Sequence, residues 1–456
     1  MAYQSDPIAA VATGRARSGI GIVRMSGEGC IPLAAQVFRL RGSRAFADLP
    51  DRHLALGTLL DHEGRAIDEG MAFLSRAPHS YTGEDTVEFQ LHGSPAVLAA
   101  ALEALFAVGF RQAGRGEFTK RAFLNGQMDL TQAEAVIDLI DAETADAAAN
   151  AAGQVAGAMR RKLEPIYHDL VDICSHFHAV LDYPDEDFAP FELQDFRDVL
   201  LSDARELSKL LASCRRGRLL QNGIRAAILG SPNAGKSSLL NALAGYERVI
   251  VTDIPGTTRD AVEQSVTVGR HLLRLLDTAG IRQTCDAIES MGVQRSLAAA
   301  KDCDVAIFVV DGSKPLTDED RAAMSATLDA PAAIAVVNKR DLGCVIDRET
   351  LPFAHVISVS AKNGEGLDGL ETALDALFDT TAPCDGTILT NARQADAVGR
   401  AKAAIEAAMV SMKNGMTPDA VLVDVECAML AMGELTGRTM REDITNRIFE
   451  RFCVGK

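Results

Sequence analysis

The chain has 456 residues, 47% of them apolar, and a formal net charge of −17 at pH 7. That length allows roughly three ordinary domains with real cores, and the acidic balance excludes a protein that binds nucleic acid or anionic membrane over its whole surface. Nine scattered cysteines with no C-x-x-C argue against a structural zinc ribbon or disulfide framework and suit a reducing cytosol.

Residues 1–121 read as a mixed α+β domain. Ile8–Ala12 and Gly19–Arg24 are strand-like, and Thr86–Leu91 alternates as a half-buried strand should. Ala96–Val108 has helical spacing. Three polar clusters, 12–19, Ser80-Tyr-Thr-Gly-Glu-Asp85 and Gly116-Glu-Phe-Thr-Lys-Arg-Ala-Phe-Leu-Asn125, read alone as turns or helix caps. Residues 122–216 become helical. The Ala-rich run Ala133–Met159 predicts one long helix by propensity alone, and a second is expected over Glu192–Arg216. Cys174-Ser-His-Phe-His178 carries metal-ligating residue types, but the i, i+2, i+4 spacing spreads all three around a helix and argues against a site. Pro184 is expected to stop the helix before it.

Residues 217–378 alternate apolar strands with helices, the pattern of a parallel doubly wound sheet. Leu272–Leu276, Val305–Val310 and Ala332–Val337 are near-continuous apolar runs suited to central strands. From 379 to 456 the chain returns to helix, over Ala392–Met412, Val421–Leu435 and Glu442–Arg451, and the ending Cys453-Val-Gly-Lys456 is expected to be exposed and mobile. Helical segments on both sides make residues 217–378 an insertion in a helical domain.

Within that insertion lies Gly230-Ser-Pro-Asn-Ala-Gly-Lys-Ser-Ser238. It fits G-x-x-x-x-G-K-S/T between a strand-like run, Ile224–Leu229, and a helical one. Gly230 and Gly235 let backbone N–H groups turn inward onto phosphate, Lys236 adds charge, and the Ser237 hydroxyl can bind Mg²⁺. Asn233, Ala234 and Ser238 complete the loop. The stretch Thr252, Asp253, Ile254, Pro255, Gly256, Thr257, Thr258 follows in a polar loop, where a Thr hydroxyl can bind Mg²⁺ and sense the γ-phosphate. Next comes Asp277, Thr278, Ala279, Gly280, with Asp277 reaching Mg²⁺ through water. Asn338, Lys339, Arg340, Asp341 ends a later strand, and the Asp341 carboxylate accepts guanine N1–H and N2–H, choosing GTP over ATP. Ser360, Ala361, Lys362 can offer a backbone N–H to guanine O6. Each motif is short; their order at the ends of successive strands is the strong signal. Ile281 stands where many signalling GTPases carry a water-orienting Gln, leaving Gln283, Asp286 and Glu289 as replacements.

The whole chain resembles the MnmE (TrmE) family of bacterial tRNA uridine-modification GTPases. The resemblance rests on Ser80–Asp85, Gly116–Asn125, Asp129-Leu-Thr-Gln-Ala-Glu-Ala135, Thr252–Asp260 and the ending Cys-Val-Gly-Lys456. It implies GTP hydrolysis after K⁺-assisted dimerisation of G domains, with K⁺ offsetting phosphate charge. By that resemblance Asn233, Thr252, Ile254 and Thr257 hold K⁺, Ser237 and Thr258 hold Mg²⁺, and Glu289 orients the water. It also implies a dimerising N-terminal domain that binds 5-formyl-tetrahydrofolate through Arg24, Glu88, Gln127 and Lys456. A cation suits the folate glutamate tail and a carboxylate the pterin N–H edge. Gln127 departs from a position where other members can carry a basic residue. The implied assembly is a homodimer that forms a heterotetramer with the FAD-dependent protein MnmG. Together they place an aminomethyl or carboxymethylaminomethyl group at C5 of the wobble uridine of certain tRNAs in the cytoplasm.

Cys453, near the folate-facing end, is either a chemical participant or a plain surface thiol. Arg160-Arg-Lys162 and Arg215-Arg-Gly-Arg218 are basic clusters that either meet tRNA or are solvated helix ends. Two other classes compete. A ribosome-assembly GTPase that binds rRNA would add a β-rich module with a G-x-x-G loop after the G domain, which the helical 379–456 does not offer. A nucleotide-gated scaffold without useful hydrolysis would not need Lys236, Ser237, Asp277 and Asp341 all intact.

Overall fold

The computed structural model describes residues 6–14, 16–182, 193–246, 264–276, 302–378, 383–439, 445 and 448–456. By backbone contacts it divides into two compact units: residues 1–137, 154–201 and 400–456 form the first, and 138–153 and 202–399 the second.

The first unit begins with β1 (Ile8–Val11), β2 (Ser18–Ser26), α1 (Cys30–Val37), β3 (Phe38–Leu40), β4 (Leu54–Leu60), β5 (Ala66–Ser75), β6 (Thr86–Gly93), α2 (Pro95–Ala107), β7 (Arg111–Gln112) and α3 (Glu117–Leu124). The strands form one sheet in the order β3-β4-β5-β6-β2-β1-β7. Side chains alternate between its faces. Val23, Met25, Val87, Phe89 and Leu91 therefore point into a core closed by α1 and α2, with Phe38 stacked on Phe89 at 4.7 Å. Arg24 and Glu88 point to the other face, and the antiparallel β2–β6 register sets them directly opposite each other. Two of the three polar clusters do more than turn the chain. Glu117–Leu124 is itself a helix, and its Arg121, 1% exposed, ties to Glu84 at 3.0 Å, Glu117 at 2.9 Å and Asp6 at 3.1 Å. Asn125 donates to the Thr82 carbonyl at 2.7 Å, and Tyr81 and Thr119 share a hydroxyl hydrogen bond of 2.9 Å. Two clusters far apart in sequence thus brace one another.

The chain's last residues are docked against the first unit, although Cys453 is exposed as expected. Phe449 and Phe452 are buried against Leu130 and Ala133. Val454 bridges Arg115, the Gly116 and Phe118 N–H groups donate to the carbonyls of Cys453 and Lys456, and Gly455 is buried with φ +103. A Cβ there would run into the Val11 carbonyl oxygen, so only glycine passes. The composition of the tail shows none of this, because its partners lie hundreds of residues earlier.

The single helix expected over Ala133–Met159 is three: α4 (Leu130–Ile140), α5 (Ala145–Val155) and α6 (Ala158–Asp182). Propensity misses the breaks. Thr144 restarts the helix by accepting from Ala147 N–H at 3.2 Å, and Gly157, at φ +81, turns the chain before α6. The second expected helix is also divided at Ser213, into α7 (Leu193–Ala212) and α8 (Cys214–Asn222). Pro184 and much of Glu442–Arg451 lie outside the described residues.

The second unit holds β8 (Ile224–Leu229), α9 (Lys236–Tyr246), β9 (Gln264–Val268), β10 (His271–Leu275), β11 (Val305–Asp311), α10 (Asp318–Leu328), β12 (Ala333–Asn338), β13 (His355–Ser358) and α11 (Asp368–Leu377). The sheet runs β13-β12-β11-β8-β10-β9, parallel except for β9 on its edge. β8, β11 and β12 are apolar on both faces. One face packs on Leu239, Leu243, Leu370 and Leu374 of α9 and α11, the other on Ala323 and Met324 of α10. This is a doubly wound sheet, whose ligands bind beyond the carboxyl ends of its strands. The chain then returns to helix in α12 (Ala392–Lys413) and α13 (Pro418–Thr436), and α13 packs along α6 in the first unit.

Candidate functional site

The loop after β8 is shaped by its glycines. Gly230 (φ +154) and Gly235 (φ +97) hold backbone that side chains rarely adopt, and Asn233 takes a left-handed turn at φ +62. A Cβ on Gly230 would strike the Val309 carbonyl oxygen, and one on Gly235 the Asn338 amide. The loop feeds α9 at Lys236, so Lys236, Ser237 and Ser238 sit at a helix N-terminus. The Lys236 ammonium bonds back to the Gly230 and Ser231 carbonyls at 2.7 and 2.8 Å. Burial pulls its pKa below the ordinary lysine value, so a phosphate arriving there relieves a cost already present.

Asn338 joins three loops. It is 2% exposed at the carboxyl end of β12. Its amide donates to the Ala234 carbonyl at 3.1 Å, and its side-chain oxygen accepts from Lys339 N–H at 2.8 Å and Ala361 N–H at 3.1 Å. The phosphate loop, 338–341 and 360–362 are thereby one construction. Lys339, at φ +64, extends to Asp311 at 2.6 Å, a partner that sequence reading missed although it ends the apolar run of β11. Asp341 accepts from the Ser360 hydroxyl at 2.7 Å, and Arg340 N–H donates to the Val359 carbonyl at 3.1 Å. Lys362 is exposed beside buried Ser360 and Ala361. The Asp341 carboxylate is fixed by a neighbour and still has lone pairs for a base edge.

On the far face of the N-terminal sheet, Arg24 Nε meets Glu88 Oε1 at 2.6 Å. The Arg24 guanidinium lies 5.5 Å from the Tyr81 ring and 5.8 Å from that of Phe118. The docked tail brings Lys456 to the same place. Burial, and then the Arg24 charge, lower its pKa, while Glu88 and Cys453 oppose. Arg24, Glu88 and Lys456 therefore converge, with exposed Cys453 nearby. Gln127 stands slightly apart, packed against Gly83 of the Tyr81 loop.

Comparison with known proteins bears on both places. A family model for the MnmE helical domain matches residues 130–453, and one for the GTP-binding protein TrmE N-terminus matches 7–127. The tRNA modification GTPase MnmE of a Thermus thermophilus strain is 44% identical over 455 residues, covering 99% of both chains. The chain belongs to the MnmE family. The tRNA modification GTPase MnmE of Symbiobacterium thermophilum is 40% identical over 461 residues, again covering 99% of both. The MnmE helical model spans both sides of the second unit's sheet, in keeping with a G domain inserted in a helical one.

For this MnmE family member the structure gathers Asn233, Ala234, Gly235, Lys236, Ser237 and Ser238 with Asn338, Lys339, Arg340, Asp341, Ser360, Ala361 and Lys362. Thr252, Asp253, Ile254, Pro255, Gly256, Thr257, Thr258, Asp277, Thr278, Ala279, Gly280 and Glu289 lie outside the described residues. Tyr81, Phe118 and Gly455 were missed as site-builders. The positive-φ requirement at Gly455 leaves no trace in a lone Val-Gly-Lys.

Proposed function

We propose that this chain is a GTP-hydrolysing enzyme of tRNA modification, and that Asn338 is the observation that carries the reading. One buried amide fixes the phosphate loop to both base-reading loops, so phosphate and guanine are recognised by a single rigid frame. Lys236 and the N–H groups at the start of α9 hold the phosphates. Asp341, braced by Ser360, takes guanine N1–H and N2–H, and the backbone of Ser360, Ala361 and Lys362 faces O6. Ser237 and Thr258 would hold Mg²⁺, which supplies positive charge against the phosphates. Asn233, Thr252, Ile254 and Thr257 would hold K⁺, which supplies further charge where G domains of two copies meet. Asn233 stands at the left-handed turn within the phosphate loop, three residues before Lys236. Glu289 orients the attacking water.

The Arg24, Glu88 and Lys456 cluster, with Gln127 at its edge, would hold 5-formyl-tetrahydrofolate. Two cations suit the glutamate tail, Glu88 suits the pterin N–H edge, and the partly exposed Tyr81 ring would give a flat ring a surface, with buried Phe118 backing the Arg24 guanidinium. The folate would supply the one-carbon unit. We further propose the domain limits 1–121, 122–216, 217–378 and 379–456. In this reading the homodimer works in the cytoplasm with the FAD-dependent MnmG to modify C5 of the wobble uridine.

Equilibrium binding with Asp341→Asn tests the nucleotide assignment. GTP affinity should fall on the order of a hundredfold while xanthosine triphosphate gains; undiminished GTP affinity would overturn it. Glu289→Ala should bind GTP and fail to hydrolyse it, and turnover should require K⁺ over Na⁺. Mass analysis of wobble uridines from cells lacking the chain tests the rest: the modified base should disappear.

A further inference from the structure

Sequence spacing argued against a metal at Cys174, His176 and His178, because it spreads the three around a helix. His176 turns to pack edge-on against Phe196, ring centroids 5.1 Å apart. Cys174 and His178, however, are four residues apart on α6 and share a face. Glu426 of α13 meets them there. His178 Nε2 lies 3.2 Å from Glu426 Oε1, and the ligand atoms of all three residues lie within 4.8 Å of one another.

We propose that Cys174, His178 and Glu426 form a zinc-class transition-metal site that clips α6 to α13. One thiolate, one imidazole and one carboxylate are a donor set that zinc accepts, with water in the fourth position. Zn–S of about 2.3 Å and Zn–N or Zn–O of about 2.0 Å put tetrahedral ligand atoms about 3.3–3.5 Å apart. The His178–Glu426 pair already has that separation, and small rotamer changes bring in the sulfur. Cys174 is buried, whereas the His178 and Glu426 side chains are about half exposed, so the site has a fixed inner ligand and an open outer side. Burial, then the Glu426 charge, raises the pKa of the thiol. A cation between them turns that repulsion into attraction, and the thiol proton leaves to solvent as the S–metal bond forms. The clip joins a helix from the middle of the chain to one near residue 430, within a single unit.

The test is Co²⁺ titration of the full chain, read by the thiolate-to-cobalt charge-transfer band, followed by Zn²⁺ competition. One equivalent should give the band and Zn²⁺ should abolish it. Cys174→Ser should remove it, while Glu426→Gln and His178→Gln, at exposed positions that leave the fold intact by circular dichroism, should weaken binding on the order of tenfold or more. Cys427→Ser and Cys453→Ser should keep the band. Absence of the band in the wild type, its persistence in Cys174→Ser, or undiminished affinity in both exposed variants overturns the site.

Discussion

The two sites of this molecule are assembled in opposite ways. The nucleotide pocket is made of backbone: glycines at positive φ, a helix start and one buried amide that holds three loops. The N-terminal cleft is made of side-chain charge, with Arg24, Glu88 and Lys456 drawn from two strands and a distant tail. A backbone site is defined before its ligand arrives and fails outright when one atom is added. A charge site tolerates more, and depends on the salt and pH that set those charges.

The sharpest way to break that comparison is Gly235→Ala. The added methyl meets Asn338 at a φ of +97, so nucleotide affinity should drop by more than about a hundredfold, with folate binding untouched. Equilibrium binding of both ligands decides it, and parallel losses would mean the sites are not independent. Gly455→Ala should do the reverse. It forces the tail off Val11 and withdraws Lys456, weakening folate binding about tenfold while GTP binding holds, as calorimetry can show.

Smaller is the acid effect at Glu117. Burial pushes its pKa up, but hydrogen bonds from Arg111, Gly114 N–H and Arg121 outweigh that and bring it down to about 2. A depressed carboxyl stabilises the fold above its unfolded pKa, and that contribution is lost as pH falls toward 2. Urea unfolding of the wild type from pH 6 to pH 3 should show a decline that Glu117→Gln flattens, at a cost of about 1–2 kcal/mol at neutral pH after solvent screening. Smallest should be Lys339→Met. Its ion pair with Asp311 is partly exposed, so GTP affinity should change only severalfold.

The same contrast explains what could be read from residues alone. Gly230 to Ser238 and Asn338 to Asp341 were legible because a phosphate loop is local: its geometry and its chemistry occupy the same few residues. The strands Ile224–Leu229 and Val305–Asp311 were legible because continuous apolar runs have little else to be. The grouping of Arg24, Glu88 and Lys456 came only from resemblance, since nothing in the order of residues says that position 24 lies near 456. The overlong helix from 133 failed because alanine propensity is summed while a break is decided by one residue, such as Gly157. Glu426 escaped notice beside Cys174 because contact between remote segments has no local signature.

The docked tail also has a meaning for biosynthesis. Arg24 and Lys456 are 432 positions apart, so a ribosome must add that many residues after Arg24 before the first sheet receives the second cation. The stretch from β8 to α11 has no such wait, because its nucleotide-binding loops all fall within one continuous stretch of chain. During vectorial synthesis the nucleotide pocket can therefore mature first, and the Arg24, Glu88 and Lys456 cluster last. Chains abandoned before Phe449 would carry the nucleotide-binding loops attached to a front end still lacking Lys456, and so without one of the groups proposed to hold folate.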